Sequence, residues 1–280
     1  MSTARRVGGD WMRLACVVSA IVSAMSPAKA ATETVSADDV FDYGRFGTVS
    51  VYRGHGEPRD VVLFLSGDGG WNLGVISMAK KLVDKGAIVA GIDIRHYLAK
   101  LETAPEPCVS PADDLNKLSH ELQSKLGLKR YLEPTLVGYS SGATLVYATM
   151  GEAADGVFKG ALSLGFCPDL DLKKPVCKGA GIEATPRRDA KGVLKGMNFL
   201  AVKKLAGRWI SLQGETDQVC PAPATQQFIA TVPGGEIVML PKVGHGYSVE
   251  RNWVPQYAAA FAKITGDQPA TQAPAPAARQ

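Results

Sequence analysis

The sequence predicts an α/β fold, with a mainly parallel sheet carrying helices on both faces. Three observations predict it. Unbroken apolar runs such as Val61-Val62-Leu63-Phe64-Leu65 recur along the chain, as expected of strands covered on both sides. Segments of helical length and pattern separate them. One such junction, apolar Glu133-Pro134-Thr135-Leu136-Val137, then Gly138-Tyr139-Ser140-Ser141-Gly142, then Ala143-Thr144-Leu145-Val146-Tyr147-Ala148-Thr149-Met150, reads as strand, tight turn and buried helix. At 280 residues and 46% apolar composition, the chain is long enough for one large domain with a substantial core.

In order, residues 46–52 alternate like an edge strand, and 61–65 form the first buried strand. Ser66-Gly67-Asp68-Gly69-Gly70-Trp71 follows, then an amphipathic helix through Lys85, with Gly86 placed as a C-cap. Residues 87–94 read as the next strand. A loop holding Pro105, Pro107 and Cys108 leads to Pro111-Ala112-Asp113-Asp114, which opens a helix to about Leu126. After the strand–turn–helix unit come strands at 159–166, 209–213 and 237–240, then a helix at 251–264. Residues 168–207 break this rhythm. They hold nine Lys and Arg against four Asp and Glu, and are expected to form a cap-like insertion whose basic lip meets an anionic substrate or membrane surface.

Both chain ends read differently from the 31–265 domain. Arg5, Arg6 and Arg13 precede an apolar stretch of twelve residues, 14–25, and Ala28-Lys29-Ala30 has the form of a cleavage site. Residues 1–30 are therefore expected to be a cleavable signal peptide, and the protein periplasmic. The tail, 266–280, is Pro- and Ala-rich and expected to be disordered. The whole chain carries 31 basic and 27 acidic side chains; residues 1–30 hold four and one of them, leaving 27 against 26. That near balance gives no support to nucleic-acid binding. No C-x-x-C or zinc-ligand spacing occurs, and no cofactor or metal is expected. Beyond residue 30 there are four cysteines, Cys108, Cys167, Cys177 and Cys220. An even count in an exported chain suggests two disulfides with three possible connectivities. Cys167 and Cys177, in one segment, would close a short loop and leave Cys108 with Cys220.

The chemistry rests on Gly138-Tyr139-Ser140-Ser141-Gly142. It matches the G-x-S-x-G elbow, in which a strand turns sharply into a helix and lifts a serine out at the apex. Asp217 follows a later apolar strand and His245 another, giving the chain order Ser…Asp…His of α/β-hydrolases. Ser140 is the expected nucleophile and His245 its general base. His245 alone of four histidines follows the last strand, in Gly244-His245-Gly246. Asp217 is expected to orient the imidazole, with Glu215 as the alternative acid. The Ser141 N–H, next after the nucleophile, and the Asp68 N–H, after the Gly67 turn, are the expected oxyanion donors.

Taken together, Ser66-Gly67-Asp68-Gly69-Gly70-Trp71, Gly91-Ile92-Asp93-Ile94-Arg95-His96-Tyr97, the Ser140 elbow and Gly244-His245-Gly246 resemble the bacterial virulence protein family VirJ and the related C-terminal domain of AcvB. The resemblance implies a periplasmic α/β-hydrolase associated with virulence and type IV secretion, and a lysyl-phosphatidylglycerol hydrolase as its activity. A lysyl headgroup calls for a carboxylate near the pocket, and Asp68, Asp169 and Asp171 are candidates. Two alternatives stay open: a general periplasmic carboxylesterase, and a secretion-system interaction protein on a hydrolase scaffold.

Overall fold

A computed structural model describes residues 37–266. The signal peptide expected over 1–30, and all but the first residue of the tail expected over 266–280, lie outside them. The chain runs β1 (Asp39–Tyr43), β2 (Gly47–Tyr52), β3 (Asp60–Leu65), α1 (Leu73–Val83), β4 (Ala87–Ile92), α2 (Ile94–Glu102), α3 (Pro111–Lys125), β5 (Thr135–Tyr139) and α4 (Ser141–Glu152). It continues through β6 (Gly160–Leu164), β7 (Asp169–Leu170), β8 (Ala184–Arg188), β9 (Leu194–Phe199), β10 (Arg208–Gly214), α5 (Ala222–Ile229), β11 (Gly235–Leu240) and α6 (Val254–Thr265).

Eight strands form one sheet in the order β1-β2-β4-β3-β5-β6-β10-β11. The β1–β2 and β2–β4 pairs are antiparallel, and every later pair is parallel. Strands β3, β4 and β6 are buried along their whole length, which explains their largely apolar sequences. Helices cover both faces. Val75, Met78 and Leu82 of α1 pack with Tyr257, Phe261 and Ile264 of α6 on one side. On the other lie Tyr97 of α2, Leu115 and Leu122 of α3, nearly all of α4, and Ile229 of α5. Trp209 anchors this second layer, ringed by Tyr147 and Phe166, with its indole N–H donated to Ser163 Oγ at 2.9 Å. The carboxyl ends of β3, β5, β6, β10 and β11 all emerge along one edge, where open α/β sheets place their ligand sites.

Local sequence fixes the helix starts. Asn72 accepts from Gly74 N, Asp93 from Arg95 N and His96 N, and Ser110 from Asp113 N, each satisfying a donor left unpaired in a first helical turn. Several boundaries depart from expectation for such reasons. The strand expected to 94 stops at Ile92, because Asp93 caps α2, a helix the sequence reading missed. The helix expected from 251 starts at Val254, with Pro255 in its first turn. The strand expected at the edge, β2, is interior, because β1 lies outside it.

Residues 168–207 form a separate three-stranded antiparallel sheet, β7-β9-β8. It is tied to α4 through Tyr147, whose hydroxyl donates to Leu200 O at 2.7 Å and accepts from Val202 N at 3.0 Å. It is tied to the α2–α3 loop by a Cys108–Cys177 disulfide and the adjoining bonds Val109 N→Pro175 O and Cys177 N→Val109 O. The second disulfide joins Cys167 to Cys220. All four cysteines are thus paired, but the pairing Cys167–Cys177 with Cys108–Cys220 is corrected. Cys167 follows β6 and Cys220 follows β10, which are neighbours in the sheet, so sheet order brings two distant cysteines to a Cα separation of 5.2 Å. Cys177 meanwhile is carried away to the α2–α3 loop.

One buried carboxylate makes stability pH-dependent. Glu152, at the end of α4, accepts Ala112 N at 2.9 Å. Burial pushes its carboxyl up to about 7, against the opposing hydrogen bonds from Ser110 and Ala112. The folded chain therefore holds this proton over a pH range in which the unfolded chain, with its ordinary value near 4.5, has released it. Stability from this group is full below about 4.5, falls as pH rises towards 7, and then stays low. The total is about 3 kcal/mol at most. Glu152→Gln keeps an acceptor for Ala112 N and cannot ionise. It should raise the melting temperature at pH 8 by several degrees and leave it little changed at pH 5. An unchanged pH dependence of melting would rule this out.

Candidate active site

At the carboxyl edge of the sheet, Ser140 sits between β5 and α4 with φ 54° and ψ −122°, a left-handed backbone that a non-glycine residue rarely adopts. The turn is held by Ser140 N→Leu164 O at 2.9 Å. It exists only because its flanks are glycine. A Cβ on Gly138 would lie 2.2 Å from Gly142 O, and one on Gly142 would lie 2.3 Å from Leu65 O. Gly67 also closes on the serine, its would-be Cβ 3.0 Å from Ser140 Cβ.

His245 and Asp217 meet this serine. His245 Nε2 lies 2.9 Å from Ser140 Oγ, and its Nδ1 lies 2.8 Å from Asp217 Oδ2. Asp217 is 5% exposed and fully hydrogen-bonded. Oδ1 accepts Val219 N at 2.9 Å and Cys220 N at 2.8 Å, while Oδ2 also accepts Gln213 Nε2 at 3.1 Å. Glu215, the alternative acid, points to solvent. The three remaining histidines lie elsewhere: His96 packs on Gly47, His120 stacks on Tyr131 with ring centroids 4.0 Å apart, and His55 is exposed before β3.

Residues that local sequence reasoning missed support this line. Gln213, fully buried at the end of β10, also donates to Cys220 O at 2.7 Å, and its Oε1 accepts Phe166 N. The Cys167–Cys220 disulfide closes the same shell around the acid. Gly165, at φ 63°, lies against the imidazole, which a Cβ there would meet at 3.1 Å. Tyr139 donates its hydroxyl to His245 O at 2.9 Å. Burial first, then the Asp217 and Asp68 carboxylates, push the Tyr139 phenol up, so it stays a donor. A buried Gln beside the expected acid was the one readable signal among these.

The loop after β3 turns tightly, with Gly70 N→Gly67 O at 2.8 Å. Asp68 and Gly69 are the central residues of that turn, so its closing hydrogen bond uses neither of their N–H groups. Ser141 is the first residue of α4, where backbone N–H groups have no intrahelical acceptor. The two residues are joined by Ser141 Oγ–H→Asp68 Oδ1 at 2.6 Å. A cavity of about 240 Å³ opens beside them, between Gly67, Gly69, Val75, Met78, Tyr139 and Gly246. A larger one, about 410 Å³, lies at the start of β3 and β4 among Arg53, His55 and Leu126. That is the amino end of the sheet, remote from Ser140, and it is not the site.

Of the three carboxylates considered for a lysyl group, Asp169 and Asp171 are both paired with Arg187. Asp68 stands at the site. The cations of 168–207 are likewise mostly engaged: Lys173 with Glu102, Lys178 with Glu183, Lys195 with Asp189 and Lys204 with Asp155. Lys174 and Arg188 donate to the carbonyls of Ala104 and Gly192.

Residues 59–164 match the bacterial virulence protein (VirJ) family, so the resemblance read from the motifs holds over that stretch. No curated protein matches the sequence. Solved structures match the fold over most of the chain. Est1E from Butyrivibrio proteoclasticus aligns with a TM-score of 0.54 at 12% identity, over 82% of this chain and 99% of its own. A dienelactone hydrolase from Anabaena variabilis gives 0.53 at 15% identity, over 82% and 97%. XC6422 from Xanthomonas campestris, described as an α/β serine hydrolase without lid, gives 0.51 at 18% identity, over 85% and 97%. The chain has the α/β-hydrolase fold.

Proposed function

We propose that this protein is an exported serine esterase working through an acyl-enzyme, and that its substrate is an aminoacyl ester of phosphatidylglycerol. The hydrogen-bonded line Ser140–His245–Asp217 carries the esterase reading. In it, Ser140 Oγ attacks the ester carbonyl while His245 Nε2 takes the hydroxyl proton. Asp217 keeps Nδ1 as the donor nitrogen and stabilises the imidazolium. The Asp68 and Ser141 N–H groups receive the oxyanion, each contributing about 3 kcal/mol to the transition state. His245 then protonates the departing alcohol, and water, activated by the same imidazole, releases the acyl group from Ser140.

The substrate reading rests on the family resemblance and on chemistry. An aminoacyl ester is activated and needs no metal to be cleaved by a serine. Export is supported by the two disulfides, which persist in oxidising compartments, and by the charge pattern of residues 1–30. Purified protein should release free lysine from vesicles containing lysyl-phosphatidylglycerol and convert that lipid to phosphatidylglycerol. Release of fatty acid instead, with the headgroup intact, would favour the general carboxylesterase.

A further inference from the structure

The pair Asp68–Ser141 places a negative charge at an awkward position for an esterase. The oxyanion that forms on Ser140's substrate is held by these same two residues, and a carboxylate beside it opposes that charge. Asp68 is exposed, and among the described residues no Lys, Arg or His pairs with it. Its Oδ1 is occupied by the Ser141 hydroxyl at 2.6 Å, which holds the carboxylate against the start of α4. Oδ2 accepts from no donor among the described residues. Asp169 and Asp171, by contrast, both pair with the Arg187 guanidinium. A substrate that carries its own cation would offset this charge.

We propose that Asp68 Oδ2 is the receptor for an ammonium group on the carbon next to the scissile carbonyl, making Asp68 a specificity-determining residue for α-aminoacyl esters. The proposal rests on the serine-esterase reading and deepens it. The geometry limits where the cation can be. Once a carbonyl oxygen lies between the Asp68 and Ser141 N–H groups, an α-ammonium is only two bonds from the carbonyl carbon, within reach of a carboxylate braced on Ser141. The ammonium forms a charge-assisted hydrogen bond there and offsets the repulsion between carboxylate and oxyanion. Neutral acyl groups meet the repulsion alone, and anionic ones meet it twice.

Alanine ethyl ester and N-acetylalanine ethyl ester test this, since they differ at the nitrogen and keep the same leaving group. The wild-type protein should prefer the free amine in kcat/KM, and Asp68→Asn should reduce that preference by roughly ten- to a hundredfold, the usual value of a hydrogen bond to a charged group. Asn keeps an acceptor for the Ser141 hydroxyl, so the brace survives while the charge is lost. Ser141→Ala, which removes the brace and keeps the charge, should retain most of the preference. If Asp68→Asn slows both esters by the same factor, Asp68 only braces the hole and the proposal fails. It fails equally if the wild type is indifferent to acetylation. If neither ester is cleaved and Ser140 takes no fluorophosphonate label, the esterase reading itself has failed.

Discussion

Ser140→Ala is expected to abolish ester hydrolysis and fluorophosphonate labelling while the fold persists. Loss of a serine nucleophile removes about six powers of ten from kcat where a triad acts as a unit. What remains is the binding and oxyanion contribution, too slow to detect against a soluble chromogenic ester. The structural cost should be small. The substitution deletes one oxygen, whose partner His245 Nε2 faces the open site and can be met by water. The strained backbone, φ 54°, is as costly for alanine as for serine, and the turn is held by Gly138, Gly142 and the bond to Leu164 O rather than by the hydroxyl. The melting temperature should thus move by a few degrees at most. Labelling that persists in this variant would place the nucleophile elsewhere.

The sequence disclosed the elbow because its chemistry is enforced by backbone contacts that tolerate only glycine. Gly138 and Gly142 each face a carbonyl or chain atom within 2.3 Å of a would-be Cβ, and that constraint is local and visible. The buried strands were equally legible, because both faces demand apolar side chains. Where exposure or long-range order decides, the signal fades. Strand β8, Ala184–Arg188, lies in the stretch expected as a cap-like insertion and carries no apolar pattern, because nearly all of it is exposed; only its ladder with β9 makes it a strand. Helix α5 is short and lies between two loops, without a cap side chain. The disulfides were misassigned because separation along the chain says nothing about which strands are neighbours. Once β6 lies beside β10, Cys167 and Cys220 meet, and the same neighbours bring Gly165 and Gln213 to the His245–Asp217 pair.

Asp217→Asn should reduce kcat by about four powers of ten, and Glu215→Gln should leave it near wild type. The difference follows from what Asp217 accepts. Its two oxygens face only donors: the N–H groups of Val219 and Cys220 on Oδ1, and His245 Nδ1 with Gln213 Nε2 on Oδ2. An asparagine has one oxygen and one NH2, so one of these pairs must meet a donor. If the NH2 faces Val219 and Cys220, both of their backbone N–H groups lose their acceptor, and the loop carrying the Cys167–Cys220 disulfide shifts. If it faces His245, Nδ1 must become the acceptor, and the imidazole adopts the tautomer with its proton on Nε2. A protonated Nε2 donates to Ser140 and cannot take its proton. The first weakens the base by displacing its partner, and the second disables it by the wrong tautomer, at the cost of one acceptor for the buried Gln213 Nε2. Steady-state kinetics on a soluble ester, with melting curves as the control, separate the two. Glu215 is exposed, and nothing in the Ser140–His245 line depends on it. Near-full activity in Asp217→Asn together with loss in Glu215→Gln would reverse the assignment of the acid.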